Sequence, residues 1–301
     1  MNIVFMGTPD YADVIFKRLI KEDGINVTSV YTQPDKPVGR KKVMTPPPVK
    51  VTANEAGIIC HQPSTLKAKE IADAIKSEKP DFIVVAAYGQ ILPKSILDIA
   101  PCINLHASLL PKYRGASPIQ QALLNGDKIT GVTAMLMEEG LDSGPMLSWS
   151  VTKIDISDRK NDLFNHLADM AADLTIETLK NFSEILPLKQ SSADVSYCKK
   201  IRKSDGLVMF NLSANSLYNR FRAYEGWPGI HLESGLKLLD ISLAYDEGRV
   251  GTIIKIDDDG VVVACETGAI KIHKVQPPSK KGMDSLSYIR GKRLSVEDLF
   301  I

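Results

Sequence analysis

Apolar residues at the start of the chain form an unbroken run, Ile3-Val4-Phe5-Met6, of the length expected for a strand buried on both faces. Gly7-Thr8-Pro9-Asp10 turns the chain, and Tyr11, Ile15 and Leu19 then recur at the spacing of one helix face. The alternation repeats with a strand over 27–32, a helix over 68–76 and the strongly β run Phe82-Ile83-Val84-Val85-Ala86. Ile103-Asn104-Leu105-His106 makes a further strand, followed by a helix with Ser117 as N-cap, Pro118 in its first turn and Gly126 past its end. Strands over 130–137 and 145–154 and a long helix over 162–181 complete the alternation that builds a mostly parallel α/β sheet with covered faces.

After this helix the pattern breaks. Residues 186–205 are polar and basic and read as a linker between a first domain, 1–185, and a second, 206–301. Beyond it lie a short helix over 213–222 and short β runs over 237–243, 250–256, 261–265 and 269–275, separated by Gly- and Asp-rich turns. Short strands at this spacing indicate a small β-barrel of the oligonucleotide-binding (OB-like) type.

Composition bears this out and narrows the partners. With 301 residues, 44% of them hydrophobic, the chain buries a full core and is not disordered or fibrous. Lysine and arginine number 37 against 36 acids, so no global field draws in nucleic acid, and any such contact rests on a local patch. Cys60, Cys102, Cys198 and Cys265 are too scattered for a zinc ribbon or a disulfide framework, and no metal spacing such as H-E-x-x-H occurs. No stretch reaches the roughly 18 apolar residues of a membrane span. We expect a reduced, cytoplasmic monomer that holds no metal and touches no membrane.

The candidate chemistry starts in the strand ending at His106. Residues two apart in a strand share a face, so Asn104 and His106 point together where ligands of open α/β sheets bind. A lone histidine near a strand end is usually structural, and Gly140-Leu141-Asp142-Ser143-Gly144 alone is an ordinary turn. Taken together, an amide, an imidazole and a carboxylate suit acyl transfer by direct attack of an external amine. Asn104 would hold the developing oxyanion, His106 assist it, and Asp142 steer His106 or move protons. Ser108 is a weak nucleophile candidate because no G-x-S-x-G elbow surrounds it. Gly7-Thr8-Pro9 opens neither a dinucleotide fingerprint nor a phosphate loop, so NAD and ATP are not signalled.

The segment 34–50 carries five basic residues, Lys36, Arg40, Lys41, Lys42 and Lys50, against Asp35, and its prolines and glycine disfavour a regular element. Such a run is either a solvated surface or a mobile loop that grips an RNA backbone, with Lys280, Lys281, Arg290, Lys292 and Arg293 as further phosphate contacts.

Asn104-x-His106-x-Ser108-Leu109-Leu110-Pro111, with the later Leu141-Asp142-Ser143-Gly144, resembles the 10-formyltetrahydrofolate-dependent formyltransferases. The resemblance implies a Rossmann-like formyltransferase fold with Asn104, His106 and Asp142 as the catalytic triad. It implies that 10-formyltetrahydrofolate is the co-substrate, lying along Ser108, Leu109, Leu110 and Pro111 and the loop that includes Ala87, Tyr88, Gly89, Ile91 and Leu92. Phe5-x-Gly7-Thr8-Pro9, the inserted 33–50 loop and Trp227-Pro228 resemble the branch that formylates the amino group of methionyl initiator tRNA. In that branch the loop meets the acceptor end, with Lys36, Arg40, Lys41 and Lys42 as the tRNA contacts, and the C-terminal barrel helps to hold the tRNA. Tyr11, Lys112, Ser117 and Gly226 depart from the usual pattern without removing a catalytic group. Three rivals are weaker: a sugar-nucleotide N-formyltransferase with the same folate site needs no basic 34–50 loop, a glycinamide ribonucleotide formyltransferase normally stops after the α/β domain, and an RNA-binding protein on a degenerate enzyme scaffold would not need Asn104, His106 and Asp142 together.

Overall fold

A computed structural model describes every residue of the chain except Arg40, so the expectation placed on Arg40 lies outside the described residues. The chain divides into two compact units, one of Met1–Pro118, Ile129–Lys153 and Asp162–Cys198, the other of Ile119–Lys128, Ile154–Asn161 and Lys199–Ile301. Along the chain run β1 (Asn2–Gly7), α1 (Asp10–Leu19), β2 (Asn26–Tyr31), β3 (Lys36–Val38), β4 (Val43–Thr45), α2 (Pro48–Glu55), β5 (Ile59–His61) and α3 (Lys69–Ser77). Then come β6 (Phe82–Ala86), α4 (Lys94–Leu97), β7 (Cys102–His106), β8 (Arg114–Gly115) and α5 (Pro118–Asn125). β9 (Ile129–Leu136), β10 (Met146–Lys153), α6 (Lys160–Lys180) and β11 (Tyr197–Cys198) complete this part of the chain.

The main sheet of the first unit has the order β10-β9-β7-β6-β1-β2-β5. β5, β2, β1, β6 and β7 are mutually parallel, and β9 runs antiparallel to both β7 and β10. Successive side chains of β1 go to opposite faces. Phe5 stacks on Phe16 of α1 at 5.2 Å between ring centroids, while Val4 and Met6 join Ala72 and Ile75 of α3 and Ile96 of α4. Burial on both faces is why β1 is a continuous apolar run, and each such side chain contributes about 1.5–3 kcal/mol. β2 and β6 flank β1 on opposite sides, so the winding of the sheet reverses between β1 and β6, and the ligand crevice of such a sheet opens at the carboxyl ends there.

Two segments differ from expectation. The basic 34–50 stretch contains regular elements: β3 and β4 pair as a two-stranded ribbon, Lys36 opposite Thr45 and Val38 opposite Val43, and α2 starts at Pro48. Pro37 is tolerated because the ribbon has no third strand to need its N–H, and proline suits the first turn of a helix. Residues 186–198, expected as linker, are bound along the first unit: Leu188 exchanges backbone hydrogen bonds with Met146 at 2.8 Å, and β11 pairs in parallel with β8. Gln190 and Ser196 serve as partners for other loops, while Lys189, Ser191, Ser192 and Asp194 are exposed.

The second unit contains α7 (Ala214–Ala223), β12 (Ile230–His231), β13 (Lys237–Ala244), β14 (Ile253–Asp257), β15 (Gly260–Ala264), β16 (Ala269–Gln276), β17 (Met283–Asp284) and α8 (Ser285–Lys292). Its antiparallel sheet has the order β12-β13-β16-β15-β14, with β17 also on β16. Among the described residues β12 and β14 do not pair with each other, so the antiparallel sheet is not closed by its edge strands. Ser213 caps α7, its Oγ accepting from the Ser216 N–H at 3.2 Å. No helix among the described residues is long and apolar enough to cross a membrane.

The stretch Ile154–Asn161 is held within this second unit by α7. The buried Arg222 guanidinium donates to the carbonyls of Asp155 and Asp158 at 3.0 Å each and to Asn219 Oδ1 at 2.8 Å. Arg222→Ala removes a buried guanidinium together with its hydrogen bonds and its packing, and is expected to cost about 3 kcal/mol. Calorimetry should show the loss as a lowered Tm, and an unchanged Tm would contradict it.

Candidate active site

β7 delivers two polar side chains to one face at its carboxyl end, Asn104 and His106, 8% and 6% exposed. The loop between β9 and β10 brings Asp142 to them. Asn104 Nδ2 donates to Asp142 Oδ1 at 3.5 Å, and His106 Nδ1 stands 3.8 Å from Asp142 Oδ2. The same Oδ2 accepts the Gly115 N–H at 2.8 Å, which fixes the carboxylate from a third direction. The three side chains expected to act together therefore do converge.

Local backbone explains how Asp142 arrives there. Its φ is +47°, in the left-handed region that asparagine and aspartate tolerate better than most residues. Gly144, two residues on, is required by contact: a Cβ there would lie 1.9 Å from the carbonyl oxygen of Leu136. The backbone carbonyls of Asp142 and Gly144 both accept from the side-chain amide of Gln190, at 2.9 and 2.7 Å.

The imidazole is oriented by its other nitrogen. His106 Nε2 lies 2.9 Å from the Tyr113 carbonyl, and since a carbonyl only accepts, Nε2 carries the hydrogen. Nδ1 is thereby turned toward Asp142. The Tyr113 carbonyl also accepts from Cys198 Sγ at 3.3 Å, and burial raises that thiol above its ordinary range, keeping it a neutral donor. On the far side of β7, the Tyr11 hydroxyl donates to the Leu105 carbonyl at 3.4 Å, and burial lifts its pKa well above the usual tyrosine value.

The residues expected around a folate divide into two kinds. Ser108 is fully buried and its hydroxyl donates to the Lys112 carbonyl at 2.6 Å, so it is unsuited to act as a nucleophile. Leu110 packs with Met135 and Met146, while Tyr88 and Leu92 are buried in the core beside Val4 and Met6. Leu109 and Pro111 are half-buried, and Ala87, Gly89 and Ile91 are exposed, Ile91 by 81%. Ala87 and Gly89 have φ of +43° and +84°, so the backbone turns sharply just beyond β6. Val85 pairs with Asn104, which sets this turn beside the end of β7.

Of the residues expected to touch tRNA, Lys36, Lys41 and Lys42 are exposed on or between β3 and β4. Lys50 differs: its Nζ is tied to both Asp35 carboxylate oxygens at 2.9 Å, and the contacts from Gln62 and Lys50 hold that carboxyl below its usual range. Contributors not foreseen from sequence are the Tyr113 carbonyl, the Gly115 N–H and Thr133. The Thr133 hydroxyl accepts from Leu110 N at 3.1 Å and donates to the Ser108 carbonyl at 2.7 Å. Only Gly115, in a glycine conformation with φ of +120°, left a trace in the sequence.

Residues 1–179 match the formyl transferase family, and residues 200–293 match the formyl transferase C-terminal domain. The methionyl-tRNA formyltransferase of Nitratiruptor sp. is 56% identical over 304 residues, covering 100% of both chains. That of Campylobacter curvus is 55% identical over 98% of both. Among solved structures the fold is similar to WlaRD, a sugar 3N-formyl transferase obtained in the presence of dTDP and 5-N-formyl-THF. That likeness has a TM-score of 0.69 at 19% identity and spans 93% of this chain and 99% of WlaRD. With both family regions matched and relatives this similar along their whole length, the chain belongs to the formyl transferase family.

Proposed function

We propose that the chain transfers the formyl group of 10-formyltetrahydrofolate to the free amino group of methionyl initiator tRNA, giving the formylated tRNA used to begin translation. Tetrahydrofolate is the other product, and the cytoplasm, where that tRNA is used, is the compartment. The observation that carries the chemistry is the meeting of Asn104, His106 and Asp142 at the end of β7, with the nearby Ser108 hydroxyl committed to the Lys112 carbonyl.

The residues present fit a folate: a sharply turned backbone at 87–91 that exposes Ala87 and Gly89 beside an amide donor, with exposed apolar Ile91 at its end. Leu109 and Pro111 would line the other side. When bound, the folate supplies a formyl carbon attached to N10. Asn104 donates Nδ2–H to the formyl oxygen as negative charge develops there, which is the part an oxyanion-hole amide plays. His106, anchored through Nε2, presents Nδ1 to the same centre, and a proton on Nδ1 adds a second donor. Asp142 accepts the proton released by the attacking amine, and that proton passes to N10 as the C–N10 bond breaks and the new amide forms. Direct attack of the amine requires no covalent enzyme intermediate.

For the acceptor, support comes from the two methionyl-tRNA formyltransferases aligned end to end with this chain and from the exposed lysines of the β3–β4 ribbon. We assign residues 1–185 the folate site and chemistry, and 206–301 a supporting grip on the tRNA. Offering 10-formyltetrahydrofolate with either methionyl initiator tRNA or an amino-sugar nucleotide tests the acceptor: the formyl group should appear on the tRNA, and its appearance only on the sugar would overturn the assignment.

Replacing Lys36, Lys41 and Lys42 together by alanine is expected to raise the KM for tRNA about tenfold and to reduce the salt slope of binding by about 3, through lost phosphate contacts. Folate affinity should not move. A folate defect with intact tRNA use would contradict this role for the ribbon.

A further inference from the structure

The stretch between Leu188 and Cys198 lies against both loops that build the candidate site. Towards one, the Tyr113 N–H donates to Ser196 Oγ at 2.9 Å, the Arg114 N–H to the Ser196 carbonyl at 2.9 Å, and β11 pairs with β8. Towards the other, Gln190 reaches the Asp142 loop. Gln190 is 7% exposed, and its amide is used on both sides: the NH2 donates to the carbonyls of Asp142 and Gly144, and Oε1 accepts from Arg114 Nε at 3.0 Å and from a terminal guanidinium nitrogen at 2.7 Å. Arg114 is itself 9% exposed and is followed by Gly115, whose N–H binds the Asp142 carboxylate. One side chain thus couples the backbone of the carboxylate-bearing loop to the strand segment that grips the same carboxylate.

We propose that Gln190, anchored by Arg114, is a positioning residue for formyl transfer, holding Asp142 in its left-handed conformation with Oδ1 toward Asn104 and Oδ2 toward His106. This rests on the reading of Asp142 as catalytic. An aspartate with φ of +47° is not in its preferred backbone state, and it persists where surrounding contacts over-determine it. The Asp142 and Gly144 carbonyls, pinned two residues apart by one NH2 group, supply that constraint. An acceptor-only side chain at 190 would instead face both carbonyls with an oxygen. Misplacement of a reacting group by as little as about 1 Å costs on the order of 10²-fold in rate.

Gln190→Glu separates positioning from simple stability. The new carboxylate keeps Arg114 and pairs with it more strongly, so the stretch stays anchored, while both donations to the loop are lost. The measurement is steady-state formyl transfer over a range of 10-formyltetrahydrofolate and methionyl-tRNA concentrations, for Gln190→Glu in the native and in the Asp142→Asn backgrounds, with the pH profile of each. The expected result is a kcat lower by about 10–10²-fold in the native background, KM for both substrates within about twofold, an altered pH profile, and an effect of less than about twofold once Asp142 is already asparagine. An equal factor in both backgrounds, or an unchanged kcat, overturns the positioning role alone. Asp142→Asn with native kcat overturns the catalytic reading of Asp142 and the positioning role with it. Should Gln190→Glu fold poorly, Arg114→Met, which leaves the Gln190 amide but removes its anchor, is expected to show the same background dependence, and additivity there overturns the proposal as well.

Discussion

His106→Ala is expected to slow formyl transfer by about 10²–10⁴-fold, the usual contribution of a positioned acid–base group, and Asn104→Ala by about 10²–10³-fold, the usual value of an oxyanion donor. Neither change should weaken folate binding appreciably, because these groups act on charge that develops only as the amine attacks. Both residues are buried in the free protein, so structural damage must be separated from lost chemistry. Removing the imidazole leaves the Tyr113 carbonyl short of a donor, a penalty of about 1–3 kcal/mol that calorimetry would register. A rate loss of several powers of ten accompanied by a modest change in Tm assigns the effect to chemistry. A His106→Ala variant within about threefold of the native rate would remove the imidazole from the reaction.

Gly144→Ala is expected to be severely damaging. The added Cβ would lie 1.9 Å from the Leu136 carbonyl oxygen and 3.0 Å from its carbon, and both are backbone atoms of β9 that cannot swing away. Relief requires parting the β9–β10 connection, where Leu136 N–H donates to the Pro145 carbonyl at 2.9 Å. The cost is expected to reach on the order of 4 kcal/mol, in the range reserved for severe packing or backbone conflicts. Catalysis should fall as well, since Asp142 lies two residues away. Gly57→Ala serves as the control. Its Cβ would meet nothing within 4 Å and would carry only the strain of a φ of +68°, about 1–2 kcal/mol. Equal Tm values for the two variants would contradict the steric account.

Legibility in the sequence followed the range of the interactions. The central strands were readable because burial on both faces leaves a continuous apolar run, as in β1 and β6. Asn104 and His106 were readable because a strand places alternate residues on one face. Asp142 was visible only as part of a turn, and its meaning came from the residues it joins. The β3–β4 ribbon was missed because prolines and a charge run argue against regular structure locally, whereas its pairing is satisfied by a two-stranded ladder. Gln190 was invisible for a different reason: a glutamine in a polar stretch is ordinary, and its importance lies in carbonyls 46 and 48 residues earlier. α8 was overlooked because Ser285, Ser287 and Gly291 dilute its apolar face, while Asp284 caps it by accepting from the Ser287 N–H at 2.7 Å. The folate expectation treated 87–92 and 108–111 as uniform loops, yet Tyr88, Leu92, Ser108 and Leu110 turn inward and leave their neighbours to present the surface.

Asn104, His106 and Asp142 are proposed to act as one centre for formyl transfer. Their joint action is tested most directly by comparing single-turnover rates for Asn104→Ala, His106→Ala, Asp142→Asn and the triple variant, each saturated with 10-formyltetrahydrofolate and methionyl initiator tRNA. The triple variant is expected to be about as slow as the slowest single variant, because groups that act as a unit are lost together. Losses that multiply across the three sites, or a triple variant that still transfers at the native rate, would contradict it.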